Sequence, residues 1–234
     1  MSAPTVPSPI LAPPHVLSLL LRLHALSITQ ENMLDRDMFR LDPKISRTQN
    51  FRDIMRDKFI ALEQDKCHFV YQLCLAINAK NIVEAGTSFG VSTMYLALAI
   101  GRNLEATGGK GVIIATENEA SKAEKAREHW KEAGEIVTKY VELREGDLRE
   151  TLKADLPEID LLLLDIWAPM ALPTLKLVQP RMKKGAVVIV DNTIGSALAY
   201  KDLLAYLRDP ESGFTNLTLP YSNGLEMSVY MPMK

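Results

Sequence analysis

LLLLDIW, residues 161–167, decides the fold: it is an apolar run without polar alternation that stops abruptly at an acid. A strand with one face in water alternates polar and apolar side chains. An unbroken run needs cover on both faces, as in a parallel sheet wound by helices. AVVIVDN at residues 186–192 repeats the pattern and ends on Asp191 and Asn192. NIVEAGTSFGVST at residues 81–93 gives a third apolar strand, then Glu84 and a loop with Gly86 and Gly90 that opens into a helical stretch. Outward from these, β-rich runs predict strands at residues 82–85, 112–116, 140–144, 161–164 and 186–190. Helical periodicity falls between and after them at 91–101, 119–133, 148–154, 173–182 and 196–207. At the end of the chain, FTNLTLP and LEMSVYMP flank YSNG, whose Asn223-Gly224 pair favours a tight turn. The expected fold is a doubly wound, mostly parallel α/β sheet closed at one edge by an antiparallel hairpin.

Upstream of this core the texture is helical. Val16, Leu19, Leu20, Leu23 and Leu26 recur at helical spacing in a helix predicted over residues 16–28, and a second periodic stretch runs from Phe51 through Phe59 and Leu62 to Ala79. The leucine stripe is too apolar to face water, so it is expected to cover a pocket or a second subunit, with a homodimer as the expected form. Residues 1–14 hold Pro4, Pro7, Pro9, Pro13 and Pro14 and are expected to be a disordered tip. The chain of 234 residues, 47% hydrophobic, suffices for one sizeable domain, placed at residues 15–234 with helices over 15–80 and the core over 81–234. A net charge of −2 with interspersed signs offers no basic field for nucleic acid. The stretch at residues 16–28 is interrupted by Arg22 and His24 and is too short to span a bilayer. Cys67 and Cys74 lie too far apart along one helix to bridge, and no CxxC pattern occurs, which fits reduced thiols in the cytoplasm. A small molecule is the expected partner.

In such sheets ligands bind beyond the carboxyl ends of the strands, so the residues that follow each strand carry the functional information. The loop after the first strand matches neither a Walker loop nor GxGxxG. Glu84 beside its glycines would repel a pyrophosphate yet suits an ammonium or a sulfonium, and S-adenosylmethionine carries both. The second strand ends at Thr116-Glu117, where an acid can accept both ribose hydroxyls of an adenosine; NAD and S-adenosylmethionine fit this equally. Gly146-Asp147 reads as a helix cap or as an acceptor for an adenine amino group. Asp165, Asp191 and Asn192 are hard oxygen donors at strand ends about 5 Å apart, a set that could converge on a Mg²⁺-like ion.

Taken together, these residues resemble the cation-dependent O-methyltransferases, the family of catechol and caffeoyl-CoA O-methyltransferases, from about Phe59 to the C-terminus. The resemblance implies a Rossmann-like seven-stranded fold, S-adenosylmethionine as cofactor, and a small phenolic or catecholic acceptor. It implies that Glu84, Gly86 and Gly90 of the glycine loop line the amino-acid part of the cofactor, with Ser88 and Ser92 near its carboxylate. Glu117 and Asn118 would serve the ribose, and Gly146, Asp147 and Trp167 the adenine. Asp165, Asp191 and Asn192 would hold Mg²⁺, or else Mn²⁺ or Ca²⁺, with Asp165 also touching the cofactor and taking a catalytic part. One departure stands out. Family members usually carry a lysine shortly after the first metal aspartate, proposed to take the substrate proton, and that position is Ala168 here. All four histidines fall in predicted helices away from the strand ends, His68 being the nearest candidate for a base.

Two further readings follow from Ala168: a metal-independent N- or O-methyltransferase acting by proximity, and a non-catalytic cofactor-binding subunit. An NAD-dependent oxidoreductase fits less well, because the glycine spacing is wrong and Glu84 opposes a pyrophosphate.

Overall fold

A computed structural model describes residues 7–33 and 58–233. The expected periodicity beginning at Phe51 lies outside the described residues as far as residue 57, as do residues 1–6 of the proline-rich tip. Seven strands form one sheet: β1 Asn81–Ala85, β2 Val112–Glu117, β3 Val141–Glu145, β4 Ile159–Leu164, β5 Met182–Asp191, β6 Phe214–Leu219 and β7 Leu225–Tyr230. Their order is β3-β2-β1-β4-β5-β7-β6. The first five pair in parallel, and β7 runs antiparallel to both β5 and β6. The fold is the expected Rossmann-like α/β sheet with a C-terminal hairpin.

Both faces of the central strands are buried, which is why their sequence lacks alternation. Ile82, Leu161, Leu163 and Ile189 enter one apolar cluster, while Val83, Leu162, Leu164 and Val190 enter the other. The chain winds from β1 outward through β2 to β3 and returns on the other side of β1 as β4, so the order reverses between β1 and β4. Ligands bind beyond such a reversal. Register aligns Ala85 with Thr116 and Leu164, and Leu164 with Val190. The residues that follow, Gly86, Glu117, Asp165 and Asp191, therefore emerge along one rim.

Helix α1, Pro14–Asn32, starts at the last proline of the tip rather than after it. Proline suits the first helical position, where its missing N–H would have no partner anyway. Most of the leucine stripe turns inward, while Leu26 stays exposed. Val16, Leu19, Leu20 and Leu23 are buried in the core of the chain itself. His24 joins them, its Nε2 2.8 Å from the Tyr95 hydroxyl, and burial, aided by His68, lowers its pKa to about 4. Helix α2, Gln64–Ala76, lies beneath the sheet end and packs on α3, Val91–Thr107. Next come α4, Ala120–Ala133, and the single turn α5, Glu135–Thr138.

The remaining helices are shorter than the periodicity predicts. Over residues 148–154 only α6, Leu148–Thr151, is helical. The Arg144 guanidinium binds the carbonyls of Thr151, Ala154 and Asp155 and draws the chain out of the helix there. Helix α7, Ala171–Val178, begins before the predicted 173 and gives way to a 3₁₀ turn at Gln179–Arg181. Helix α8 spans only Lys201–Leu207. Residues 193–200 make turns instead, because the Asn223 carbonyl of the hairpin accepts the N–H groups of Ile194 and Gly195. Among the described residues no helix is long and apolar enough to cross a membrane.

Candidate active site

A cleft of about 890 Å³ opens over the carboxyl ends of β1, β2, β4 and β5, a size that suits a cofactor together with a small second ligand. Its floor is the glycine loop. Gly86 has φ +91°, and a Cβ there would lie 2.1 Å from the Asp165 carbonyl oxygen, so only glycine lets β1 turn beside β4. Gly90 is the left-handed N-cap of α3, and its carbonyl accepts from the Trp130 indole at 2.9 Å. Gly86 and Ser88 line the cleft; Gly90 and Ser92 do not.

Glu84 is placed differently from what the resemblance implies. It is fully buried below the loop, away from the cleft, and accepts hydroxyl hydrogen bonds from Thr87 at 2.9 Å, Ser92 at 2.6 Å and Thr93 at 2.5 Å. It braces the start of α3 against β1. Burial raises its pKa even though all these hydroxyls favour the charged form. Replacing Glu84 by alanine strands three buried hydroxyls and is expected to lower stability by about 3 kcal/mol or more, measured by denaturant unfolding. Glu84→Gln keeps an acceptor and should lose less. A raised folded pKa gives stability that is fully present below the unfolded value and lost as pH rises through the folded one. Wild type should therefore gain on Glu84→Gln as pH falls from neutral toward the ordinary glutamate range.

Glu117 lines the cleft at the end of β2. Its carboxylate accepts the backbone N–H of Ser88 at 2.7 Å, of Asn118 at 2.9 Å and of Glu119 at 2.8 Å. A carboxylate has about four acceptor positions, so Glu117 both ties the glycine loop to β2 and keeps a lone pair for a ligand. The Gly146 N–H donates to the Glu117 carbonyl at 2.9 Å and brings β3 alongside. Asp147 caps α6 through the Arg149 N–H and forms an ion pair with the Arg149 guanidinium at 2.5 Å. Asn118, Gly146, Asp147 and Trp167 all line the cleft, Trp167 being 36% exposed at its mouth.

The acidic end holds Asp165, Asp191 and Asn192 together, as expected, along with Glu63, Lys66 and Tyr200, which sequence reasoning missed. Lys66 is fully buried, and its ammonium donates to Asp191 Oδ1 at 2.5 Å and pairs with Glu63 at 2.8 Å. Asn192, held at φ +61°, donates its side-chain N–H to Asp191 Oδ2 at 2.8 Å. Burial lowers the Lys66 pKa, but the Asp191 and Glu63 bonds outweigh this and raise it. Burial likewise lifts Asp191 to about 6 against the pull of Lys66, and lifts Asp165 well above the usual carboxylate range, with Asp191 adding to the effect. Tyr200 closes the wall by donating its hydroxyl to the Ile166 carbonyl at 3.1 Å.

The expected cation ligands do not fit a divalent ion as placed. Both Asp191 oxygens already accept hydrogen bonds, and Asn192 turns its NH₂ rather than its carbonyl oxygen toward Asp191. No group of three or more His, Cys, Asp or Glu side chains with metal-binding geometry occurs among the described residues. None of the histidines lines the cleft. His15 approaches the Ala133 carbonyl, His24 bonds Tyr95, and His129 bonds the Phe89 carbonyl, so His68 gains no support as a base.

The switch point, the glycine loop and the acid at the end of β2 suit an adenosine-bearing cofactor. Comparison with known proteins agrees. The family described as a methyltransferase domain matches residues 83–193. A catechol O-methyltransferase of Mycobacterium tuberculosis is 30% identical over 173 residues, covering 72% of this chain and 74% of that protein. Among solved structures, cofactor-bound Rv0187 from MTB superposes with a TM-score of 0.67 at 22% identity, over 93% of this chain and 90% of the other. TomG of Streptomyces achromogenes, an O-methyltransferase involved in tomaymycin synthesis and solved with S-adenosylmethionine, gives 0.65 at 20% identity, over 91% and 98%. The chain belongs to the S-adenosylmethionine-dependent O-methyltransferase family.

Proposed function

We propose that the cleft binds S-adenosylmethionine and transfers its methyl group to a hydroxyl of a small phenolic or catecholic molecule. The observation that carries this reading is Glu117, an acid that both fixes the glycine loop and faces the cleft. Adenosine would lie along Glu117, Asn118, Gly146, Asp147 and Trp167, and the methionine part over Gly86 and Ser88 toward Asp165. The acceptor would enter between Trp167, Met170 and Tyr200, whose side chains supply an apolar wall. The net charge of −2 favours such a molecule over nucleic acid.

The reaction is an in-line displacement. An O–CH₃ bond forms while the S–CH₃ bond breaks, the sulfonium becomes a neutral thioether, and the acceptor gives up its hydroxyl proton. The chain must hold oxygen, methyl and sulfur collinear and exclude water, which a cleft floored by a rigid loop and walled by strand ends can do. Asp165, which follows β4 and lines the cleft beside the glycine loop, is the carboxylate placed to take the proton. A divalent ion would supply Lewis-acid activation of the hydroxyl. The donor geometry supports the metal-independent form of the reaction instead, since Lys66 and Asn192 already occupy Asp191.

Replacing Glu117 by alanine should weaken S-adenosylmethionine binding at least tenfold, about 1.4 kcal/mol or more, by removing the ribose acceptor and freeing the Ser88 N–H. Calorimetry on wild type and variant reads this directly. Unchanged affinity in a folded variant would take the nucleoside away from β2.

A further inference from the structure

We infer that the Lys66 ammonium is a built-in cation that supplies the counter-charge of the acidic end of the cleft and so excludes a divalent ion from it. The inference rests on the methyltransferase reading for its meaning and on geometry for its support. Register sets Leu164 beside Val190, so Asp165 and Asp191 follow at neighbouring strand ends, and Glu63 meets them from the turn before α2. Three acids gathered at one rim repel each other and require a cation. Lys66 supplies it from beneath, with its charge fully buried at 2.5 Å from Asp191 and 2.8 Å from Glu63. The ammonium thus arrives from the helix before β1, whereas the segment after β4 has Ala168 and no lysine near Asp165.

Lys66 does not line the cleft, but both of its acid partners do. It is therefore a positioning residue: it fixes Asp191 and Glu63 in the wall and neutralises part of their charge without touching the reacting atoms. Take the ammonium away and Glu63 and Asp191 lose their cationic partner beside Asp165, while the Asn192 N–H stays on Asp191 Oδ2. Carboxylates left without a counter-charge are free to turn toward a divalent ion, whose preference for hard oxygen they match.

The test titrates Mn²⁺ into EDTA-treated protein and follows free Mn²⁺ by electron paramagnetic resonance, with elemental analysis of the starting protein. Binding of S-adenosylhomocysteine, read by calorimetry, reports that each protein is folded. Wild type is expected to bind no Mn²⁺ saturably at millimolar concentration and to turn over at the same rate with and without chelator. Lys66→Ala is expected to bind one Mn²⁺ per chain at least tenfold more tightly than wild type. Lys66→Arg, which keeps the charge, should behave as wild type. Saturable Mn²⁺ binding by wild type overturns the inference, as does a folded Lys66→Ala that binds none. If Lys66→Ala does not fold, Lys66→Gln takes its place, and the wild-type titration still decides against the inference if it saturates. Failure of the methyltransferase reading would appear separately, as the absence of methyl transfer in every protein whatever the Mn²⁺ result.

Discussion

Replacing Asp165 by asparagine is expected to lower methyl transfer by about 10² to 10⁴-fold, the range for loss of a positioned general base, while S-adenosylmethionine affinity changes by less than tenfold. The side chain is conserved in size, and the backbone contacts that make this position necessary are kept: the Asp165 N–H donates to the Ala85 carbonyl at 3.0 Å, and its own carbonyl faces Gly86. What is lost is the proton acceptor. A base works only when deprotonated, and burial holds the Asp165 carboxyl well above its ordinary range. The wild-type rate should therefore fall as pH drops through that raised range, and the variant should lack that limb. A free phenol ionises near pH 10, by analogy with tyrosine, so the uncatalysed residue of activity in the variant should climb with pH toward that value. Equal rates in variant and wild type across this range would remove Asp165 from the chemistry and leave proximity alone.

Gly86→Ala is the second large effect, and it falls on binding. A left-handed backbone costs a residue with a Cβ about 1–2 kcal/mol, and displacing the Asp165 carbonyl from a 2.1 Å overlap adds a cost of the overpacking kind, about 1–3 kcal/mol. The loop can relieve the clash only by moving into the cleft or away from Glu117, and either movement disturbs the cofactor floor. The sum, about 3 kcal/mol, corresponds to roughly a hundredfold loss of S-adenosylmethionine affinity, together with a lower thermal midpoint. Gly185→Ala is the control: it has a similar φ of +87° but nothing within 4 Å of the added Cβ, so it should lose stability modestly and keep its cofactor affinity.

The fold could be read from the sequence where a single period governs a segment. Ile82, Leu161 and Ile189 face one cluster and Val83, Leu162 and Val190 the other, so uninterrupted apolar runs could only be central strands. Helix ends were less legible, because they depend on contacts made from outside the helix. Arg144 ends α6 from a neighbouring strand, and the Asn223 carbonyl takes the N–H groups that would have begun α8 early. Glu117, Asp165 and Asp191 were legible too, since each ends or follows a strand. The role of Glu84 was not: its hydroxyl partners Thr87, Ser92 and Thr93 sit on the loop and the first turn of α3, and nothing local shows that they turn inward. Lys66 carried a signal that periodicity could have given. Glu63, Lys66, Cys67, Val70 and Cys74 share one stripe of the helix, so two charges stand on a face otherwise buried. A charge on a buried stripe calls for a partner, and Asp191, far along the chain, is that partner.

Methyl transfer from S-adenosylmethionine to a hydroxyl in this cleft is open to direct observation. The most direct measurement is a single-turnover reaction with methyl-labelled S-adenosylmethionine, metal-free protein and a panel of phenols and catechols, followed by mass spectrometry of cofactor and acceptor together. S-adenosylhomocysteine and an oxygen-methylated acceptor should form in equal amounts, undiminished by EDTA. Bound cofactor that remains intact with every hydroxylated acceptor, or label recovered on nitrogen rather than oxygen, would contradict methyl transfer to a hydroxyl.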